Sequence, residues 1–332
     1  MTPVNDAPTF SAISSFSKAE DFAAFDIVAS ANISDNETAD ASLTIQYTMN
    51  ATGVFTIGVV NATNTITFTS LSNDYGSREV NLTVWDEGLS NTTTFTLTVT
   101  PVNDAPLFAN YAVNDTLLAN NQWARFNMSV NDTSDPAGGI SSVNGTINGV
   151  NVSFTHGTGD QWYYDWQCTA SDASVNFTAA WANDTDNLAN ITVITGIGTT
   201  CDAVAPHTIV LNSLTDGTNT SATPNFNWTA TDAMAAVMTC NLTIDRVVNQ
   251  TDVSVVNGTM ANYSLIGLSQ GRHEWNITSC KDAAGNVNSS GSVMRYFTFD
   301  NVAPSNIAPN IANNTNFSSS TVYINWTVTD AT

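Results

Sequence analysis

The sequence predicts an all-β protein made of tandem β-sandwich domains in a beads-on-a-string array. Three observations predict it. Internal repeats share one spacing, apolar residues alternate with small polar ones at period two, and short turn clusters separate the alternating runs. No stretch carries a convincing 3.6-residue period, so helices are not expected.

The repeats set the organisation. Residues 2–8 and 100–106 both read TPVNDAP, 98 residues apart. DAVAP at 202–206 returns as DNVAP at 300–304, and NWTATDA at 227–233 returns as NWTVTDA at 325–331, each again 98 apart. Domains are therefore read at 1–101, 102–205 and 206–303, with 304–332 as the truncated start of a fourth. A length of 332 suits several units of about 100 residues. Met1 stands where the second copy of the joint has Val99, as a valine codon taken for a start would leave it. The array is thus expected to continue beyond both ends.

Within the units the strands follow from alternation. TITFTSL at 65–71, VNLTVWD at 80–86 and FTLTVT at 95–100 each put every second, apolar side chain on one face. SNDYGS at 72–77, SDPAGG at 134–139 and DAAGN at 282–286 supply the turns. The proline of each joint sits where its missing N–H breaks no ladder.

Composition narrows the partners. Hydrophobic residues make up 42%, enough for packed cores, but 7 basic residues stand against 29 acidic ones, a net charge of −22. Nucleic acid and anionic membranes would be repelled, whereas cations would be attracted. Polarity comes from 41 Asn, 48 Thr and 31 Ser, a composition of the cell exterior, and four Cys suit an oxidising compartment. No signal peptide and no apolar run near 18 residues occurs, so an export signal and any membrane anchor are expected outside this stretch.

PVNDAPTF at 3–10 and PVNDAPLF at 101–108 resemble the joints of tandem cadherin-like repeats in microbial surface proteins. NFNWTATD, TCNLTID, HEWNITSCKDAAGN and RYFTFD, between 225 and 300, resemble the immunoglobulin-like repeats common in archaeal surface proteins. The resemblance covers essentially the whole chain and implies immunoglobulin-like/cadherin-like sandwiches in a stalk, adhesin or envelope component. It also implies a disulfide between Cys240 and Cys280. Trp275 and Ile277 share a parity that excludes Cys280, so a bulge or strand end would have to turn that cysteine inward. Cys168 and Cys201 are then left for each other, although four cysteines allow three pairings and the other two stay open.

Calcium at the joint is a further implication of the cadherin-like resemblance, and no other cofactor is called for. The ND of such joints supplies ligands, which nominates Asn103 and Asp104, with Glu20 and Asp132 or Asp135 as neighbours. The linker departs from that pattern, having Thr100 where those joints carry Asp and no second Asn after Asp104. The competing reading is that these residues cap turns through their own backbone. NDTDN at 183–187 is another acidic loop, without EF-hand spacing.

Asn-x-Ser/Thr triplets number 25, where composition alone predicts roughly 10. In Asn81, Asn127, Asn176, Asn227, Asn241, Asn276 and Asn325 the Asn precedes an inward-type apolar residue, so Asn and hydroxyl share the outer face. N-glycans there would stand in solvent and mask strand edges. Alternating Thr-rich faces also create such triplets incidentally.

Catalytic arrangements are absent from the sequence. His156, His207 and His273 are scattered, and no HExxH, GxSxG or phosphate loop occurs. Trp162, Tyr163, Tyr164 and Trp166 could stack on a sugar, though alternation favours packing. The leading expectation is a non-catalytic structural or adhesive protein of the extracellular surface, binding other surface proteins, glycans or its own copies. Two alternatives stand beside it: a calcium-dependent partner- or glycan-binding module, and the accessory region of a larger secreted hydrolase.

Overall fold

A computed structural model describes residues 4–132, 139–309, 316, 318, 321 and 325–329. The described residues form strands joined by turns, with short 3-10 turns in the first domain, and among the described residues no helix is long and apolar enough to cross a membrane. The expected turn SDPAGG lies outside the described residues up to Gly139.

Alternation builds each strand. Along Gly76–Trp85, Val80, Leu82 and Val84 are buried while Asn81 and Thr83 face outward, and the partner strand Ser90–Thr100 buries Phe95, Leu97 and Val99. On the outer face hydroxyls meet across strands, Thr83 with Thr92 and Ser77 with Thr98, each at 2.9 Å. The residue types that make the triplets thus also stitch the sheet surface.

Three domains repeat one immunoglobulin-like topology. In the third, one sheet orders Thr208–Leu211, Asn225–Thr231 and Ala261–Ser264. The facing sheet orders Thr218–Thr220, Arg295–Phe299, Gly271–Asp282, Val237–Ile244 and Val247–Val256. In each domain a short early strand pairs parallel with the last: Phe16–Ala19 with Ser90–Thr100, Leu117–Ala119 with Ala189–Asp202, and Thr218–Thr220 with Arg295–Phe299. The other ladders are antiparallel. Even register repeats at 98 residues, since Thr208 faces Thr231 and Asn306 faces Thr329.

Each domain has its own core. Phe55, Phe68 and Leu97 anchor the first, Phe126 and Phe177 the second, and Trp228, Trp275 and Phe226 the third. Each such side chain contributes about 1.5–3 kcal/mol by leaving water. Of the aromatic run, Trp162 is buried, Tyr164 packs on Phe154, and the Arg125 guanidinium lies 4.0 Å from the centre of the Tyr163 ring. Their faces are used within the protein.

Two disulfides brace the later domains. Cys168, just past Gln161–Gln167, joins Cys201 in the last strand of the opposite sheet. Cys240 joins Cys280 directly across neighbouring antiparallel strands of one sheet. Along Gly271–Asp282 the buried parity changes after Ile277, because Asn241 faces Ser279 while Leu242 faces Ile277. Thr278 is therefore an extra residue, a bulge that turns Cys280 inward.

Candidate functional site at the domain joints

The strands of each sandwich end at its poles, and the linker from the preceding segment docks there. Asp86, Asp184 and Asp282, spaced 98 residues apart, end or follow the strands Gly76–Trp85, Asp172–Asp184 and Gly271–Asp282. One carboxylate oxygen of each caps its own turn. Asp86 Oδ1 accepts from the Gly88 and Leu89 N–H groups, both at 2.6 Å. Asp184 Oδ1 accepts from Asp186 at 2.9 Å and Leu188 at 2.8 Å, and Asp282 Oδ1 from Gly285 at 2.7 Å and Asn286 at 2.9 Å.

The second oxygen faces the linker. Asn5 Nδ2 donates to Asp86 Oδ2 at 3.3 Å, and Asn103 Nδ2 donates to Asp184 Oδ2 at 2.7 Å. Both amides lie three residues before a buried proline, Pro8 or Pro106. Burial pushes the Asp184 carboxyl up, yet hydrogen bonds from Asn103 and from the Leu188, Asp186 and Asn187 backbone outweigh it and hold the group below its ordinary value. Backbone bonds from Leu89 and Gly88 lower Asp86 likewise. Further amides hold the linker itself: Asn190 Nδ2 donates to Pro106 O at 2.7 Å and Asn288 Nδ2 to Pro206 O at 2.8 Å.

The joint at 202–206 differs. Ala203 occupies the position of the linker amide, and Asn286 Nδ2 instead bridges Asp202 O at 2.7 Å and Asp282 Oδ2 at 2.8 Å. Its Oδ1 accepts from the Asn120 N–H of the preceding domain at 3.0 Å. The linker here brings an acid: Asp202, Asp232 and Asp282 are only 2%, 7% and 5% exposed, and one ligand oxygen from each lies within 4.8 Å of the others. Burial, then the neighbouring charges of Asp232 and Asp282, push the Asp202 carboxyl up, against the opposing Val204 N–H bond.

The residues nominated for calcium at the joint 102–106 take mixed positions. Glu20 is buried beside the linker and Oε1 accepts from the Val102 N–H at 2.5 Å. Asn103 acts as an amide donor to Asp184, Asp104 is half-buried in the linker, and Asp132 is buried just past Trp123–Asn131. Asp135 lies outside the described residues. Among the described residues, the group of three acids close enough to share an ion is the one at the next joint. DAVAP, NWTATDA and DAAGN contain all three of its members, so the 98-residue spacing of Asp86, Asp184 and Asp282 was the available signal.

Of the glycosylation candidates, Asn176 is exposed, whereas Asn81, Asn127, Asn227, Asn241 and Asn276 are half-buried. The apolar partners Leu82, Met128, Phe177, Trp228, Leu242 and Ile277 all point into cores. These six triplets lie on strands flanked on both sides rather than at sheet edges. Several amides are engaged, Asn241 Nδ2 to Ser279 Oγ at 3.1 Å and Asn176 Nδ2 to Ser174 Oγ at 2.7 Å. Asn325 is exposed just before Trp326–Thr329. His273 bonds Asp245 Oδ2 through Nδ1 at 2.7 Å, but its Nε2 faces Ser269 O at 2.9 Å, not a nucleophile.

No family model matches the chain, and no curated protein matches it. Among solved structures it is similar to a multi-domain titin fragment, at 8% identity over 88% of this chain and 97% of that one, with a TM-score of 0.40. It is also similar to the N-terminal eight immunoglobulin domains of Down Syndrome Cell Adhesion Molecule, at 10% identity over 89% and 36% of the two chains, TM-score 0.36. The Escherichia coli adhesin FdeC aligns at 14% identity over 78% of this chain and 85% of its own, TM-score 0.33. These likenesses concern fold alone.

Proposed function

We propose that the chain is a non-catalytic structural or adhesive segment of an extracellular surface protein, in which sandwiches held in series space or present other elements. The observation that carries this reading is the repeated joint. Asp86 and Asp184 each cap a turn with one oxygen and accept from the linker's Asn with the other, while at Asp282 the turn's own Asn286 ties the capping carboxylate to the linker carbonyl of Asp202. A joint held by hydrogen bonds resists bending, which a spacer requires and a solitary catalytic domain does not. The His273 imidazole, saturated on both nitrogens, supports the non-catalytic reading. The cadherin-like and archaeal envelope resemblances, N-glycans on the outward triplets, and partners among surface proteins, glycans or further copies belong to the same proposal.

Small-angle scattering and glycopeptide mapping of native material test it together. An array should show a radius of gyration well above the roughly 20 Å of a compact domain of this length, with sugar on the exposed Asn176. A radius near the compact value together with bare triplets would overturn the proposal.

A further inference from the structure

We propose that Asp202, Asp232 and Asp282 form a calcium site that fastens the second domain to the third. Ca²⁺ binds oxygens at about 2.3–2.6 Å, so ligands on opposite sides of one ion stand about 4.8 Å apart. One oxygen from each of the three carboxylates lies within 4.8 Å of the other two, so a single ion can touch all of them.

A second observation points to a ligand. Asp232 Oδ1 accepts from the Met234 and Ala235 N–H groups, both at 2.8 Å. Its Oδ2 is buried and has no hydrogen-bond partner, although the residue is only 7% exposed. A charged oxygen removed from water with nothing opposite it is costly, and a cation supplies the missing partner. Among the described residues the ion pairs are Arg125–Asp165, Arg246–Glu274 and His273–Asp245, so no basic side chain neutralises the cluster.

Comparison of the joints gives the reason. At 4–8 and 102–106 the linker presents an Asn amide to the domain's turn-capping Asp. At 202–206 the amide position is Ala203 and the linker presents Asp202, replacing a donor with another acceptor. A positive ion between the three acids turns their repulsion into attraction. Carboxylates without His or Cys select a hard cation, and Ca²⁺ tolerates irregular oxygen geometry where Mg²⁺ demands a near-ideal octahedron. The ion would tie the last strand of one domain, Ala189–Asp202, to two strand ends of the next.

The test uses the full chain, stripped with chelator and dialysed against CaCl2, counting bound Ca²⁺ per chain. The wild-type chain is expected to bind with a Kd of roughly 10⁻⁴–10⁻³ M, as extracellular modules do. Asp232→Asn keeps the Oδ1 acceptor that caps its turn and should lose one bound ion. Asp202→Asn, at the end of the linker-side strand, should lose the same one, while Asp184→Asn at the other joint leaves it in place. No uptake by the wild-type chain at about 10 mM Ca²⁺ would overturn the site, as would unchanged counts in both variants. Should Asp232→Asn fail to fold by circular dichroism, Asp202→Asn decides alone. A compact scattering radius would remove the spacer reading without touching this result.

Discussion

Replacing both Cys240 and Cys280 by Ala should lower the melting of the third domain far more than that of the others. The bridge closes a loop with a sequence separation of 40 and lies between facing residues of adjacent strands. Chain-entropy reasoning assigns such a loop about 4 kcal/mol of stabilisation through the unfolded state. A domain of about 98 residues unfolds with roughly 0.2 kcal/mol/K of entropy, so the loss corresponds to a fall of about 19 °C. Both cysteines are almost fully buried, and truncating their sulfurs adds to the loss. Differential scanning calorimetry of the full chain can follow it, because the three domains have separate cores and distant perturbations stay separate. A fall of less than about 5 °C in the third transition would mean that the bridge does not stabilise the third domain through its unfolded state. An equal fall in all three transitions would refute the separateness of the domains.

Acid should loosen the first two domains in a defined sense. Asp86 and Asp184 are held below the ordinary 3.8, so their contribution is complete above that value and is lost as pH falls through their lowered folded values. Urea midpoints measured from pH 5 downward should therefore decline, and Asp86→Asn should flatten the first domain's share; an unchanged slope would contradict the capping geometry. Gly145→Ala should destabilise the second domain by about 1–3 kcal/mol, because its Cβ would meet Phe177 Cε2 at 2.8 Å, Phe154 Cε2 at 2.9 Å and the Ala179 carbonyl at 3.0 Å. Gly58→Ala, with nothing within 4 Å, should instead be neutral or stabilise by about 0.5 kcal/mol. Chemical denaturation of both variants distinguishes the two outcomes.

Much of this architecture was legible in the chain. Val80, Leu82 and Val84 are buried because period-two alternation has only one geometric solution when one sheet face packs. The inward turn of Cys280 could be anticipated as a break in parity, and the bulge at Thr278 supplies it. The triplets were legible as outward-facing but not as lying on flanked strands, since neighbour order in a sheet depends on pairings between distant segments. The joint at 102–106 drew notice through its repeated letters, yet Asn103 donates an amide there, a role that depends on Asp184 some 81 residues later.

Repeat length, strand faces and candidate cysteines are readable along the chain, because they follow from local periodicity and from copies of one unit. Which acids meet depends on the folded arrangement. Asp202 and Asp282 end two strands and Asp232 follows the end of a third, one strand in the second domain and two in the third, and they converge because these strand ends share one pole. Charge is a sum over neighbours in space. A chain with 29 acids cannot show which three share a buried site until the fold brings those strand ends together.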